Sequence, residues 1–184
     1  MLVVWFITAC IAFFMVWGII MYNRLVTARN DVLNAWSQID VQLKRRYDLI
    51  PNLVAAVRGY MEYEKEVLEN VVRARALAMT TAKLQDKAGA EDSLSGSLKS
   101  LFMVIEKYPV LKASENVMHL QEELVTTENR IAFARQLYND LVANYQVLCE
   151  TFPHMLIAQV FSFRQFEYFR ADATEKAMPS AQLS

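Results

Sequence analysis

From Leu25 onward, apolar residues recur at alternating steps of four and three. The series runs Leu25, Val32, Trp36, Ile39, Leu43, Ile50, Leu53, Val57, Tyr60, Val67, Val71, Ala74 and Ala78, with charged Arg29, Arg46 and Glu64 standing on the same stripe. A period of about 3.5 residues predicts an amphipathic helix that packs at small left-handed crossings. Pro51 lies inside the stripe, where a proline removes a backbone donor and bends or breaks a helix. The phase is the same on both sides of it. The pattern therefore predicts one long helix over about residues 22–84, bent near Pro51 and continuous with the apolar run that precedes it.

Residues 85–97, QDKAGAEDSLSGS, lose the periodicity and contain Gly89, Gly96 and several small polar residues, which reads as a connection. Leu98, Leu101, Phe102 and Ile105 then predict a short helix, ended at Tyr108-Pro109 because a residue before proline avoids the helical region. Val117, Leu120, Leu124, Thr127, Ile131, Ala134, Tyr138, Leu141, Tyr145 and Leu148 repeat the three-four alternation and predict a second long helix, closed by Pro153. Residues 155–170 are rich in aromatic side chains, and 171–184 read as a polar tail. Two such seams must pack on each other and on the shorter helices. The expected fold is all-α: an apolar N-terminal helix followed by an elongated antiparallel bundle.

Residues 1–21, MLVVWFITACIAFFMVWGIIM, carry no charged side chain. At a rise of about 1.5 Å per residue such a run crosses the roughly 30 Å hydrocarbon core of a bilayer. No Lys or Arg precedes it, whereas a cleavable signal peptide has a basic first region, so the run reads as a retained anchor in contact with membrane lipid. Trp5 and Trp17 stand near its two ends, where amphipathic rings suit the interfaces. Basic residues follow the span (Arg24, Arg29, then Lys44, Arg45 and Arg46), which puts residues 22–170 on the cytoplasmic side of a bacterial inner membrane, with the periplasmic side as the alternative.

The chain has 184 residues, 54% of them hydrophobic, with only four glycines and four prolines; turn-rich strand architectures need more of both. A formal net charge of −1 provides no global field for nucleic acid. Cys10 lies in the apolar run, so Cys149 has no soluble partner for a disulfide and reads as a small packing residue. There is no Gly-rich phosphate loop, no HExxH and no paired-cysteine metal spacing, and His119 and His154 read as ordinary surface histidines. No cofactor, metal or small-molecule substrate is indicated. Two groups remain as candidate structural or interaction residues. Arg46 and Glu64 on the first seam, with Glu128, Arg130 and Arg135 on the second long helix, either lie at the stripe's margin with their heads in water or form a polar layer that fixes register through at least one cross-helix ion pair. Phe161, Phe163, Phe166 and Phe169, with Tyr168, either cap the core or form an exposed patch for a partner or the membrane interface.

YNRLVTARNDVLNAWSQIDVQLKRRYDLIPNLV resembles the opening of LemA-family soluble domains, and KYPVLKASENVMHLQEEL and TENRIAFARQLYND are similar to the family's later blocks. The resemblance covers about residues 22–170. Two positions depart from it: Ser162 stands where glycine is expected, and Tyr145-Gln146 where Tyr-Asn is expected. The resemblance implies an N-terminal anchor, a helical bundle and no established enzymatic activity. The expected role is a membrane-anchored scaffold that binds other membrane proteins, as a homo-oligomer or with them; the alternative is a sensor or adaptor that transmits a change along the long helix.

Overall fold

The structure, a computed structural model, describes residues 1–61 and 63–169. The expected polar tail lies outside the described residues. Six helices make up the described chain: α1 (Leu2–Arg58), α2 (Lys65–Thr80), α3 (Leu84–Ile105), α4 (Pro109–Lys112), α5 (Glu115–Glu150) and α6 (His154–Val160). No strand occurs among the described residues. The fold is all-α.

Two boundaries differ from the sequence pattern. The long first helix begins at Leu2 and ends at Arg58, not near residue 84. Gly59 and Tyr60 form a turn after it, and α2 starts only after Glu64. Glycine is the poorest helix former apart from proline, and its flexible backbone permits this turn where apolar phase alone suggests continuation. The stripe positions Tyr60 and Glu64 thus keep phase by coincidence. Second, residues 85–97 are not a connection but most of α3. The buried positions there, Ala88, Glu91, Leu94, Leu98, Leu101 and Ile105, keep helical spacing. Alanine and a buried acid carry the early part of that face, so it lacks the large apolar residues that reveal a helix in sequence. As expected, the apolar run and the soluble seam are one uninterrupted helix.

Pro51 sits inside α1 without ending it. Its ring removes the N–H that would bond the carbonyl four residues earlier, which belongs to Tyr47. That carbonyl accepts instead from Arg75 Nε of α2 at 2.7 Å. The backbone defect is repaired from a neighbouring helix, while the proline itself faces solvent.

The chain divides into two compact units. One comprises Met1–Gln38 with Ala134–Tyr168. Its core joins Leu25, Val32 and Ala35 of α1 to Tyr138, Val142, Tyr145 and Cys149 of α5 and Ala158 of α6. After α6, residues 163–168 run as an extended strap along α5. Tyr138 and Tyr145 hydroxyls donate to the carbonyls of Glu167 (2.9 Å) and Arg164 (3.1 Å), and Gln146 Nε2 to that of Phe166 (2.9 Å). Side chains of α5 so satisfy strap carbonyls that belong to no regular structure. The other unit comprises Ile39–Phe133 with Phe169. In it α1 and α2 form an antiparallel hairpin, followed by a second hairpin of α2 with α3. The core is Leu43, Ile50, Leu53 and Val57 of α1 with Val71, Leu94, Leu101, Val117, Leu124 and Ile131.

Candidate functional site

The second unit is built around one charge. Arg46 on α1 is fully buried, as is Glu91 on α3, and the two form an ion pair through Nη2 and Oε2. Arg46 Nη1 reaches Glu128 Oε2 on α5 and donates to Ser95 Oγ on α3 at 2.9 Å. Ser95 Oγ in turn donates to Glu128 Oε1 at 2.7 Å. Tyr47, the next residue on α1, donates its hydroxyl to the second oxygen of Glu91 and lies 3.3 Å from the carbonyl of Ala78 at the end of α2. Four helices thus meet at one polar network, with Arg45 and Glu123 paired at its rim at 3.2 Å.

The electrostatics explain why the network can be buried. An isolated buried guanidinium costs several kcal/mol; here its two terminal nitrogens meet two carboxylates and Ser95, which offsets that desolvation, while Arg46 Nε has no hydrogen-bond partner among the described residues. Two carboxylates face one guanidinium. The excess negative charge rests on Glu128, whose side chain is 41% exposed and reaches water, while Glu91 is enclosed. Burial raises the Tyr47 phenol well above its ordinary range; its hydrogen bond to Glu91 and that carboxylate's charge push the same way, with Arg46 opposing. The phenol therefore stays a donor. A carboxylate held by both an arginine and a tyrosine is locked in orientation, so the arrangement suits fixing helix register.

Other candidates fall elsewhere. Glu64 lies in the turn before α2, as its N-cap residue without a side-chain capping bond. It does not join Arg46 or the α5 charges, because the first helix has already ended. Arg130 is exposed and Arg135 half-buried. The pair Arg46 and Glu128 is brought together; Glu91, Ser95, Tyr47 and Arg75 were not anticipated. Glu91 and Ser95 were missed because their segment read as a connection. The Arg75 contact had a signal in the sequence: a proline inside an unbroken stripe leaves one carbonyl needing a donor.

The aromatic group divides. Phe166 packs edge-on against Tyr145 of α5 (ring centroids 5.4 Å apart), and Phe169 is buried. Phe163 and Phe161 instead meet Tyr22 of α1, at 5.8 and 4.8 Å, and Phe161 remains exposed. Ser162 adopts φ 53°, in the left-handed region. Ser162 N donates to Gln159 O and Phe163 N to Ala158 O, the paired bonds of a helix-ending Schellman turn. This is the physical reason glycine suits that position. His154 is buried, not a surface histidine, and neither ring nitrogen has a hydrogen-bond partner among the described residues. Burial lowers its proton affinity, and the nearby charge of Arg24 lowers it further. Cys149 is buried, and burial raises its thiol above the usual value, as expected of a packing residue.

A groove of about 800 Å³ opens in the second unit between the end of α1 and α2. Its floor includes Val54, Met61, Leu68 and Val72, and Arg58, Lys65 and Arg73 line it against a single acid, Glu69.

Among curated proteins, the chain is 26% identical over 174 residues to magnetosome protein MamQ of Magnetospirillum gryphiswaldense, covering 80% of this chain and 64% of that protein. It is 26% identical over 175 residues to magnetosome protein MamQ 1 of Paramagnetospirillum magneticum, covering 81% of this chain and 64% of the relative. It is 26% identical over 159 residues to protein LemA of Metamycoplasma hominis, covering 84% and 71%. The chain thus spans less than two thirds of the length of the MamQ relatives. The LemA family profile matches residues 35–182, which takes in the segments carrying Arg46, Glu91 and Glu128, and the chain belongs to the LemA family.

Proposed function

We propose that this protein is a membrane-anchored helical scaffold that binds other membrane proteins or further copies of itself. The observation that carries this reading is the continuity of α1. The helix holds an unburied apolar stretch at its start, the one described helix long and apolar enough to cross a membrane, and bears Arg46 of the buried network further along. A bundle fixed in register at Arg46 and attached through an unbroken helix is suited to presenting a surface at a membrane. The basic-rimmed groove is the surface we assign to a partner, with three cations against one acid fitting an acidic amphipathic segment. None of the relatives' names is that of an enzyme. The same continuity supports a second reading, an adaptor in which α1 relays a change from the bilayer to the Arg46 network; that reading requires two states of the network.

The test is photocrosslinking in native membranes from a reactive residue at Val72, inside the groove. The scaffold reading expects adducts on acidic segments of one or a few proteins, lost when Arg58, Lys65 and Arg73 are changed to Glu. Adducts unaffected by the charge reversal, or lipid adducts alone, would overturn it.

A further inference from the structure

The short helix α6 and its flanking turns present a bare apolar face. Leu156 and Val160 stand four residues apart on one side of α6 and are 51% and 77% exposed, with Phe152 in the turn before the helix at 71% and Phe161 just after it at 59%. The opposite side, His154 and Ala158, is buried. Residues 152–163 contain no Asp, Glu, Lys or Arg. A soluble protein normally breaks such a surface with charge, so its occupant is apolar.

The position of this face identifies that occupant. Tyr22 is the first residue after the apolar run 1–21, and its ring packs on Phe161 and Phe163. His154, at the start of α6, feels the charge of Arg24, which follows the same run. At a rise of about 1.5 Å per residue, Tyr22 to Arg24 lie within roughly 5 Å of the end of the run. If residues 1–21 span the bilayer, these residues sit at headgroup depth, and α6 is packed beside them at that depth. Exposed aromatic and aliphatic side chains flanked by cations, here Arg24 and the exposed Arg164, are the composition of segments that lie in the interface plane.

We propose that α6 with Phe152 and Phe161 is a second membrane contact, embedded in the acyl–headgroup boundary of the bilayer that α1 crosses. It rests on the reading of residues 1–21 as a span. With two contacts, the unit containing α6 is held against the membrane surface and α1 is restrained from free rotation about its axis. The buried His154 side and the exposed apolar side of one seven-residue helix then have separate roles, packing inward and lipid contact outward.

The experiment uses the full chain in liposomes, with Cys10 and Cys149 replaced by alanine and one environment-sensitive fluorophore attached in turn through Ile11→Cys, Val160→Cys and Lys99→Cys. Bromine on the lipid acyl chains reports depth and aqueous iodide reports access to water. We expect Ile11 to be quenched by bromine deep in the bilayer and Val160 by bromine near the headgroups. Val160 should also be severalfold less sensitive to iodide than Lys99. A Val160 label as open to iodide as Lys99, with Ile11 still quenched by bromine, overturns the contact and leaves the anchor standing. A Val160 label shielded from iodide but untouched by bromine also overturns it, since protein then covers the face. An Ile11 label untouched by bromine removes the span and the contact together.

Discussion

At the scale of single residues, three side chains carry most of the consequences. Arg46 is buried with its charge neutralised by Glu91 and Glu128, so removing one partner leaves an uncompensated ion in the core. Glu91→Ala is expected to destabilise the protein by about 3–5 kcal/mol, and Glu128→Ala by less because its carboxylate already reaches water. Chemical denaturation of the two variants checks both the size and the order. His154 gives a pH dependence. Its folded-state pKa lies below the ordinary value of 6.5, so the unfolded chain takes up the proton first. Stability is therefore full above about pH 6.5 and falls as the pH drops through that value, until the folded-state pKa is reached. His154→Leu should flatten this part of a melting-temperature profile without flattening the carboxylate region below it. Ser162 occupies left-handed backbone that costs a residue with a Cβ roughly 1–2 kcal/mol, part of which the unfolded-state entropy of glycine gives back. Ser162→Gly is accordingly expected to be neutral to stabilising by up to about 1 kcal/mol, measured as a shift in the denaturation midpoint.

At the scale of elements, α1 holds together through Pro51 because α2 supplies the missing donor. Arg75 Nε bonds the Tyr47 carbonyl that the proline orphans. Arg75→Ala is expected to cost about 1–2 kcal/mol, the worth of a partly exposed hydrogen bond from a charged donor. Pro51→Ala restores an N–H to the same carbonyl, so in that background Arg75→Ala should cost clearly less. A double-mutant cycle measures the difference, and equal costs in the two backgrounds would show that the two residues do not share the carbonyl. The strap along α5 is another element held by side chains: Tyr138, Tyr145 and Gln146 each bond one of its carbonyls.

At the scale of the whole molecule, an uncharged run continuous with the bundle helix predicts that the protein resists alkaline carbonate extraction from membranes. Arg24 and Arg29, close after the run, predict that protease added outside intact spheroplasts spares the part after the span; its digestion would reverse the orientation and leave the anchor. What the sequence by itself determined was whatever a repeating local pattern encodes: the all-α class, the long apolar N-terminal run, the α5 seam and membership of the LemA family. Helical phase, length and charge-free composition are properties of consecutive residues, so they need no knowledge of what packs against them. The tertiary structure decided the rest. Glu91 reads as one acid in a polar segment until α3 brings it against Arg46. Pro51 leaves the Tyr47 carbonyl without its helical donor, and only the fold shows that Arg75 of α2 supplies one. Phe161 and Phe166 look alike in sequence, and only the neighbours Tyr22 and Tyr145 separate the exposed ring from the packed one. A buried charge, a repaired carbonyl and a bare apolar face are each defined by partners distant along the chain, which no periodicity records.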